Sequence, residues 1–284
     1  MTFTEYLQQK RLAPHTVNSY SIYVKYFTDW LGQEQLADAF TYNDLLGFIR
    51  YLNDMGKSKA AVHSLLCIVR HYCNYLIVAG RRTDNPAAGV YIKGLVRKLP
   101  THLLSMEELE ALYQQYSIQL NVEKTKKIML GLIVYQGLGT GELTRLQVSD
   151  MKLKEGKVFI RGTEQSNERW LKLEVTQVVV LQQYMEKNKF KEGALLQSNK
   201  RGYKSETNVR NQVNHMFRQL RQLNPKVINI MQLCNSVLTH WLRQHHLRQV
   251  QYMAGHKYVS STQRYQVNNM DELRNELDQH HPMA

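Results

Sequence analysis

The chain has 284 residues, and 37 lysines and arginines against 24 aspartates and glutamates give it a formal net charge of +13. With 43% hydrophobic residues it can build packed cores, which excludes disorder as its main state, and its length suits about two domains. No run reaches the ~18 consecutive apolar residues of a membrane span, and Met1-Thr2-Phe3-Thr4-Glu5 is no basic and then apolar leader, so a soluble cytoplasmic protein without a membrane partner is expected.

The basic excess favours a polyanionic partner, nucleic acid before an acidic membrane surface. It is uneven: ten bases and seven acids precede residue 95, while 27 bases and 17 acids follow. Cys67, Cys73 and Cys234 form no CxxC pair, so neither a disulfide framework nor a metal knuckle is expected.

In chain order, Leu7, Val17, Tyr20, Val24, Phe27, Trp30 and Leu31 recur at helical spacing, with Pro14 and Thr16 marking a helix start. A second helix is predicted over residues 42–52, with Thr41 as N-cap and Gly56 just past its end. A third begins near Ser58, carries Val62, Leu65, Leu66, Val69, Tyr72, Tyr75 and Leu76, and closes at Gly80. Asn85-Pro86 ends regular structure, and the breakers and bases up to Pro100 read as a connector. Ser105 with Glu108 forms a capping box, and helix follows through Leu112 and over residues 124–138. Residues 157–162 and 169–173 read as two strands of a hairpin, and helical pattern returns at 175–187, 206–220 and from 227 onward. The fold class expected is mainly α, with helical domains and a small antiparallel sheet.

Several runs carry a resemblance. They are Leu12-Ala13-Pro14-His15-Thr16-Val17, Asn85-Pro86-Ala87 and Lys98-Leu99-Pro100, then Tyr135-Gln136-Gly137-Leu138 with Glu142-Leu143-Thr144-Arg145-Leu146, and finally Ala254-Gly255-His256 with Thr262-Gln263-Arg264-Tyr265. The sequence resembles the tyrosine recombinases, or phage integrases, over nearly its whole length. The resemblance implies a SAM-like helical core-binding domain over residues 1–88, a linker over 89–103 and a catalytic-type domain over 104–284, closing as a C-shaped clamp on double-stranded DNA. It also implies phosphotyrosyl chemistry with no metal or organic cofactor. A tyrosine attacks a DNA phosphodiester, two arginines stabilise the transition state, a hairpin lysine protonates the leaving oxygen and histidines assist proton transfer.

Carried over position by position, this chemistry is mostly missing. The first arginine falls on Gly139, the hairpin lysine on Glu164, and the histidine-x-x-arginine pair on Met231 and Cys234, which read as core packing. His256 and Tyr265 remain as the catalytic candidates. Arg145 lies six residues past Gly139, off the same helix face, and His240 with Arg243 has the H-x-x-R spacing at the wrong place. Arg161, Arg169 and Lys172 are candidate substitutes for the lysine, and His240, His245 and His246 read as a basic surface patch rather than a zinc site. Losing one oxyanion-type donor costs roughly 2.7–4 kcal/mol, so autonomous strand cleavage is not expected.

The candidate DNA contacts are His15, Thr16, Lys57, Lys59, Arg70 and Lys98. Residues 271–279, with Met270, Leu273 and Leu277 as an apolar stripe, could form a helix that packs on a neighbouring protomer. The reading is therefore a DNA-binding member of the family, in site-specific recombination or integration of a mobile element. It would be catalytically impaired and act as an architectural or regulatory subunit, in a homo-oligomer or with an active recombinase. The alternative is an active integrase using Tyr265 with cations displaced in sequence or donated by a partner, and a helical interaction module with basic charge is the bland third reading.

Overall fold

The computed structural model describes residues 1–32, 38–95, 100–119, 124–189, 192–196 and 205–266. It divides into two compact units, Met1–Arg97 and Lys98–Ala284. Lys98 and the expected helix at 271–279 lie outside the described residues.

The first unit contains α1 (Phe3–Gln9), α2 (Pro14–Leu31), α3 (Tyr42–Asp54) and α4 (Lys59–Val78). Local chemistry sets their starts. Thr2 with Glu5 and Thr41 with Asp44 close reciprocal capping boxes, Ser58 accepts from the Ala61 amide, and Pro14 occupies the first helical position of α2. Phe27 packs edge-on against Phe40 and Phe48, each at 5.0 Å between ring centroids, and anchors one buried cluster with Leu45, Leu52, Leu66 and Cys73. Tyr6, Leu7, Tyr72 and Leu76 anchor the other.

α4 is long and apolar enough to cross a membrane, with a mean hydropathy of 1.2 over 18 residues. Half of that window is buried, and Val62, Leu66, Val69, Cys73 and Leu76 face the unit's own clusters, which is the pattern of a core helix.

The second unit runs through α5 (Met106–Gln119), α6 (Lys124–Gln136), α7 (Thr140–Leu143), β1 (Met151–Lys152), β2 (Lys157–Ile160), β3 (Arg169–Lys172), α8 (Val175–Asn188), α9 (Ser205–Leu223), α10 (Ile230–Gln244) and α11 (Leu247–Ala254). Residues 259–266 are also helical. The fold is thus mainly α with a small antiparallel sheet, in the order β1-β2-β3. β1 was not foreseen, because two residues carry no alternation to read.

α6 is the hub, buried on every side from Ile128 to Val134. A Cβ at Gly131 would stand 3.0 Å from the Tyr113 ring, so glycine permits that approach. At its end the buried amides of Gln136 and Gln177 exchange hydrogen bonds of 2.9 and 3.0 Å, joining α6 to α8. In the hairpin, Ile160 pairs with Arg169 and Val158 with Leu171, and alternation along β3 turns Arg169 and Leu171 inward while Trp170 and Lys172 face out. That inward arginine shapes the site.

Candidate active site

Five segments form one linked network that ends at Tyr265: the α6–α7 turn, the β2–β3 loop, the start of α10, the end of α11 and helix 259–266. Gly139 sits at the N-cap of α7 with φ −79° and ψ 164°, and its amide donates to Glu142 Oε2 at 3.0 Å. A Cβ there would meet only Glu142 Oε2, at 4.0 Å, so the position has room for a side chain.

The other Glu142 oxygen is taken by Arg169, whose Nη2 lies 2.8 Å from Oε1 with the arginine side chain 1% exposed. Arg169 Nε also donates to the Met253 carbonyl at 2.7 Å. Its Nη1 is buried with no hydrogen-bond partner among the described residues. Gly255, in the left-handed region at φ +68°, lies directly against this guanidinium, which leaves no space for a Cβ.

This geometry corrects one sequence expectation. Arg169 cannot stand in for the hairpin lysine, because it is buried and committed to Glu142. Arg161, a second candidate, makes a two-pronged contact with Asp150 at 2.9 and 3.0 Å. Lys172 faces outward on β3. Glu164 is exposed near the tip of the hairpin, where Thr163 Oγ1 accepts from the amides of Gln165 and Ser166.

A second correction concerns α10. Cys234 is part-buried against the core and its Sγ–H donates to the Leu138 carbonyl at 3.4 Å. Burial first, then the Glu142 carboxylate, pushes its thiol up to about 12, with Arg169 partly offsetting, so it is an inert packing thiol. Met231 was expected to pack beside it but is 62% exposed. In the first turn of the helix it faces a groove of about 410 Å³ instead, along with Ile228, Asn235 and Arg264.

Tyr265 is 2% exposed, and its hydroxyl donates to Asn235 Oδ1 at 2.9 Å while accepting from Arg264 Nη2 at 2.8 Å. The Arg264 guanidinium also lies 4.8 Å from the Tyr265 ring centroid. The His256 ring stacks on Tyr265 with centroids 6.3 Å apart and planes 13° off parallel, and its Nδ1 pairs with Thr262 Oγ1 at 2.9 Å. Burial first, then the Arg264 and Arg169 cations, lowers the His256 pKa, with Glu142 partly opposing. The structure therefore brings His256 and Tyr265 together. It adds Arg264 and Asn235, which the sequence reading did not single out. Adjacency was the available signal, since Arg264 is a base directly beside the candidate nucleophile.

His240 and Arg243 lie nine residues beyond Met231 and Cys234 on α10, about 13 Å further along the axis at 1.5 Å per residue. In the first unit, His15 is exposed at the start of α2 and its Nε2 lies 3.4 Å from Thr16 Oγ1. Lys57 and Lys59 are exposed around the start of α4. Arg70 directs its Nε to the Ala87 carbonyl at 3.2 Å and Nη2 to that of Val90 at 3.0 Å, so it binds the segment after α4 to the domain. Among the described residues no group of three or more metal-ligating side chains occurs.

Comparison with known proteins places this arrangement. The chain is 27% identical over 300 residues to tyrosine recombinase XerC of Oceanobacillus iheyensis, covering 100% of this chain and 95% of that one. It is 27% identical over 285 residues to tyrosine recombinase XerD of Yersinia pestis, covering 97% and 94%. The crystal structure of a lambda integrase (75–356) dimer bound to a COC′ core site shares the fold, with a TM-score of 0.69 at 17% identity over 93% of this chain and 92% of that one. Residues 1–80 match the phage integrase N-terminal SAM-like domain, and residues 102–272 match the phage integrase family. The chain accordingly belongs to the phage integrase family, that of the tyrosine recombinases.

Proposed function

We propose that this protein binds double-stranded DNA in site-specific recombination or integration, in the cytoplasm, as a catalytically impaired architectural or regulatory subunit. It would assemble with its own copies or with an active recombinase, and a mobile element is the setting such a subunit suits. The observation that carries the reading is the set Gly139, Glu164, Met231 and Cys234, standing where the family chemistry needs arginine, lysine, histidine and arginine. Arg169 and Arg161 do not fill the deficit, because each is held by a carboxylate. Solved structures of similar proteins on DNA, lambda integrase on a Holliday junction and XerH on its difH substrate, support the choice of partner.

Tyr265 fits an impaired site as well. A nucleophilic hydroxyl must shed its proton, and here it donates to the neutral amide of Asn235, which is no base. The test is to incubate the purified protein with duplex DNA and with a nicked suicide substrate. Salt-sensitive binding without a covalent adduct is expected, and an adduct through Tyr265 formed by the protein alone would sink the reading.

The alternative, an active integrase with displaced cations, is favoured by one observation, the Arg264 guanidinium at hydrogen-bond distance from the Tyr265 hydroxyl. Tyr265→Phe separates the two readings in cells. Recombination unchanged supports a structural role, and recombination abolished supports the active one.

A further inference from the structure

We propose that Arg264 is the residue through which this chain grips a DNA backbone phosphate in the groove lined by Met231, Asn235 and Arg264, in place of the cations missing at positions 139, 164 and 234. The inference rests on the reading of the chain as a DNA-binding protein and names the contact that the reading leaves open. Among the described residues lining the groove, Arg264 is the one that carries a charge. It is exposed, whereas Tyr265 beside it is 2% exposed, so a ligand entering the groove meets the guanidinium before the phenol.

The hydrogen-bonding inventory points the same way. One guanidinium N–H goes to the Tyr265 hydroxyl, and among the described residues no other hydrogen bond engages this group. A planar fork of five donors with one in use is suited to the two non-bridging oxygens of a phosphodiester. Two of the three candidate substitutes are committed, Arg169 buried on Glu142 and Arg161 clasped by Asp150, and the third, Lys172, faces outward on β3 and does not line the groove. A phosphate held by Arg264 would lie next to the Tyr265 hydroxyl with a single cation on it. That grip positions DNA, but one cation cannot balance the charge that develops in phosphoryl transfer.

The test compares wild-type protein with Arg264→Gln and Arg264→Lys, measuring affinity for a mixed-sequence duplex across a salt series. One lost phosphate contact makes the slope of log affinity against log salt shallower by about 0.9, so Arg264→Gln should show that change and Arg264→Lys should keep the wild-type slope. A second measurement fixes the place. In Arg264→Cys, thiol alkylation at that position, read by peptide mass, should slow at least tenfold when the duplex is bound. Arg264→Gln with the wild-type slope and affinity, or alkylation of Arg264→Cys as fast with duplex bound as without it, overturns the proposal while leaving DNA binding intact. Wild-type protein that fails to bind duplex at low salt overturns the underlying reading as well.

Discussion

Glu142 and Arg169 form a charge pair 2.8 Å long, one member 17% and the other 1% exposed, and the pair joins α7 to the inner face of the hairpin. The same carboxylate caps α7 through the Gly139 amide. A buried cation stripped of its partner costs about 3–5 kcal/mol, whereas replacing both members with apolar groups is far milder. Glu142→Gln should therefore lower unfolding stability by several kcal/mol in chemical denaturation, with Glu142→Leu combined with Arg169→Met less destabilised than Glu142→Gln. A double variant as unstable as the single one would mean that the pair does more than neutralise itself.

Gly255→Ala attacks the same guanidinium from the other side. The residue would adopt φ +68° with a methyl group driven against Arg169. Left-handed backbone costs a non-glycine residue roughly 1–2 kcal/mol and overpacking a further ~1–3 kcal/mol. A fall of at least about 2 kcal/mol is expected, with faster proteolysis of the hairpin loop, and a neutral substitution would refute the crowding.

Gly139→Arg should have the opposite character. Its φ of −79° suits any residue and the space around its would-be Cβ is open, so a stability change within about 1 kcal/mol is expected from thermal melts. The added arginine would still lack a partner at Cys234 and a lysine at Glu164. No covalent DNA adduct should form with this variant alone, and one that does form would show that a single cation suffices.

Acid should weaken the second unit through His256. Its folded pKa lies below the 6.5 of the free side chain, so the unfolded chain binds more protons between those two values. Stability is then full above 6.5 and declines as pH falls through that window. His256→Gln should flatten the decline for the second unit between pH 7 and 5 in melts taken at constant ionic strength. His71 in the first unit is lowered as well, by burial first and then by Arg70 and Lys10, so its own slope should persist in that variant.

What the sequence made legible was local chemistry. Thr41 with Asp44, Ser58 and Ser105 with Glu108 bind amides within one turn, so their helix starts could be read directly. The pairing of His256 with Tyr265 was legible because a short, ordered motif spans both. Met231 was misplaced because an apolar residue in the first turn of a helix satisfies core periodicity whether it faces the core or a groove. Arg169 looked like a spare cation because its partner, Glu142, lies on another element 27 residues earlier, and no spacing rule joins them. Arg264 was passed over as an ordinary base within a motif read for its tyrosine.

The hairpin tip is stitched to the His256 segment, by Asn167 N–H to the Gly255 carbonyl at 2.9 Å and by a backbone bridge between Ser166 and His256. Two segments that share a seam share an equilibrium. Whatever lifts the tip must first open the seam, and so unloads the imidazole that rests on Tyr265. By reciprocity, whatever locks the imidazole stiffens the tip. The seam therefore couples the hairpin tip to the tyrosine through backbone contacts, and among the described residues no side chain of the tip reaches the phenol in between.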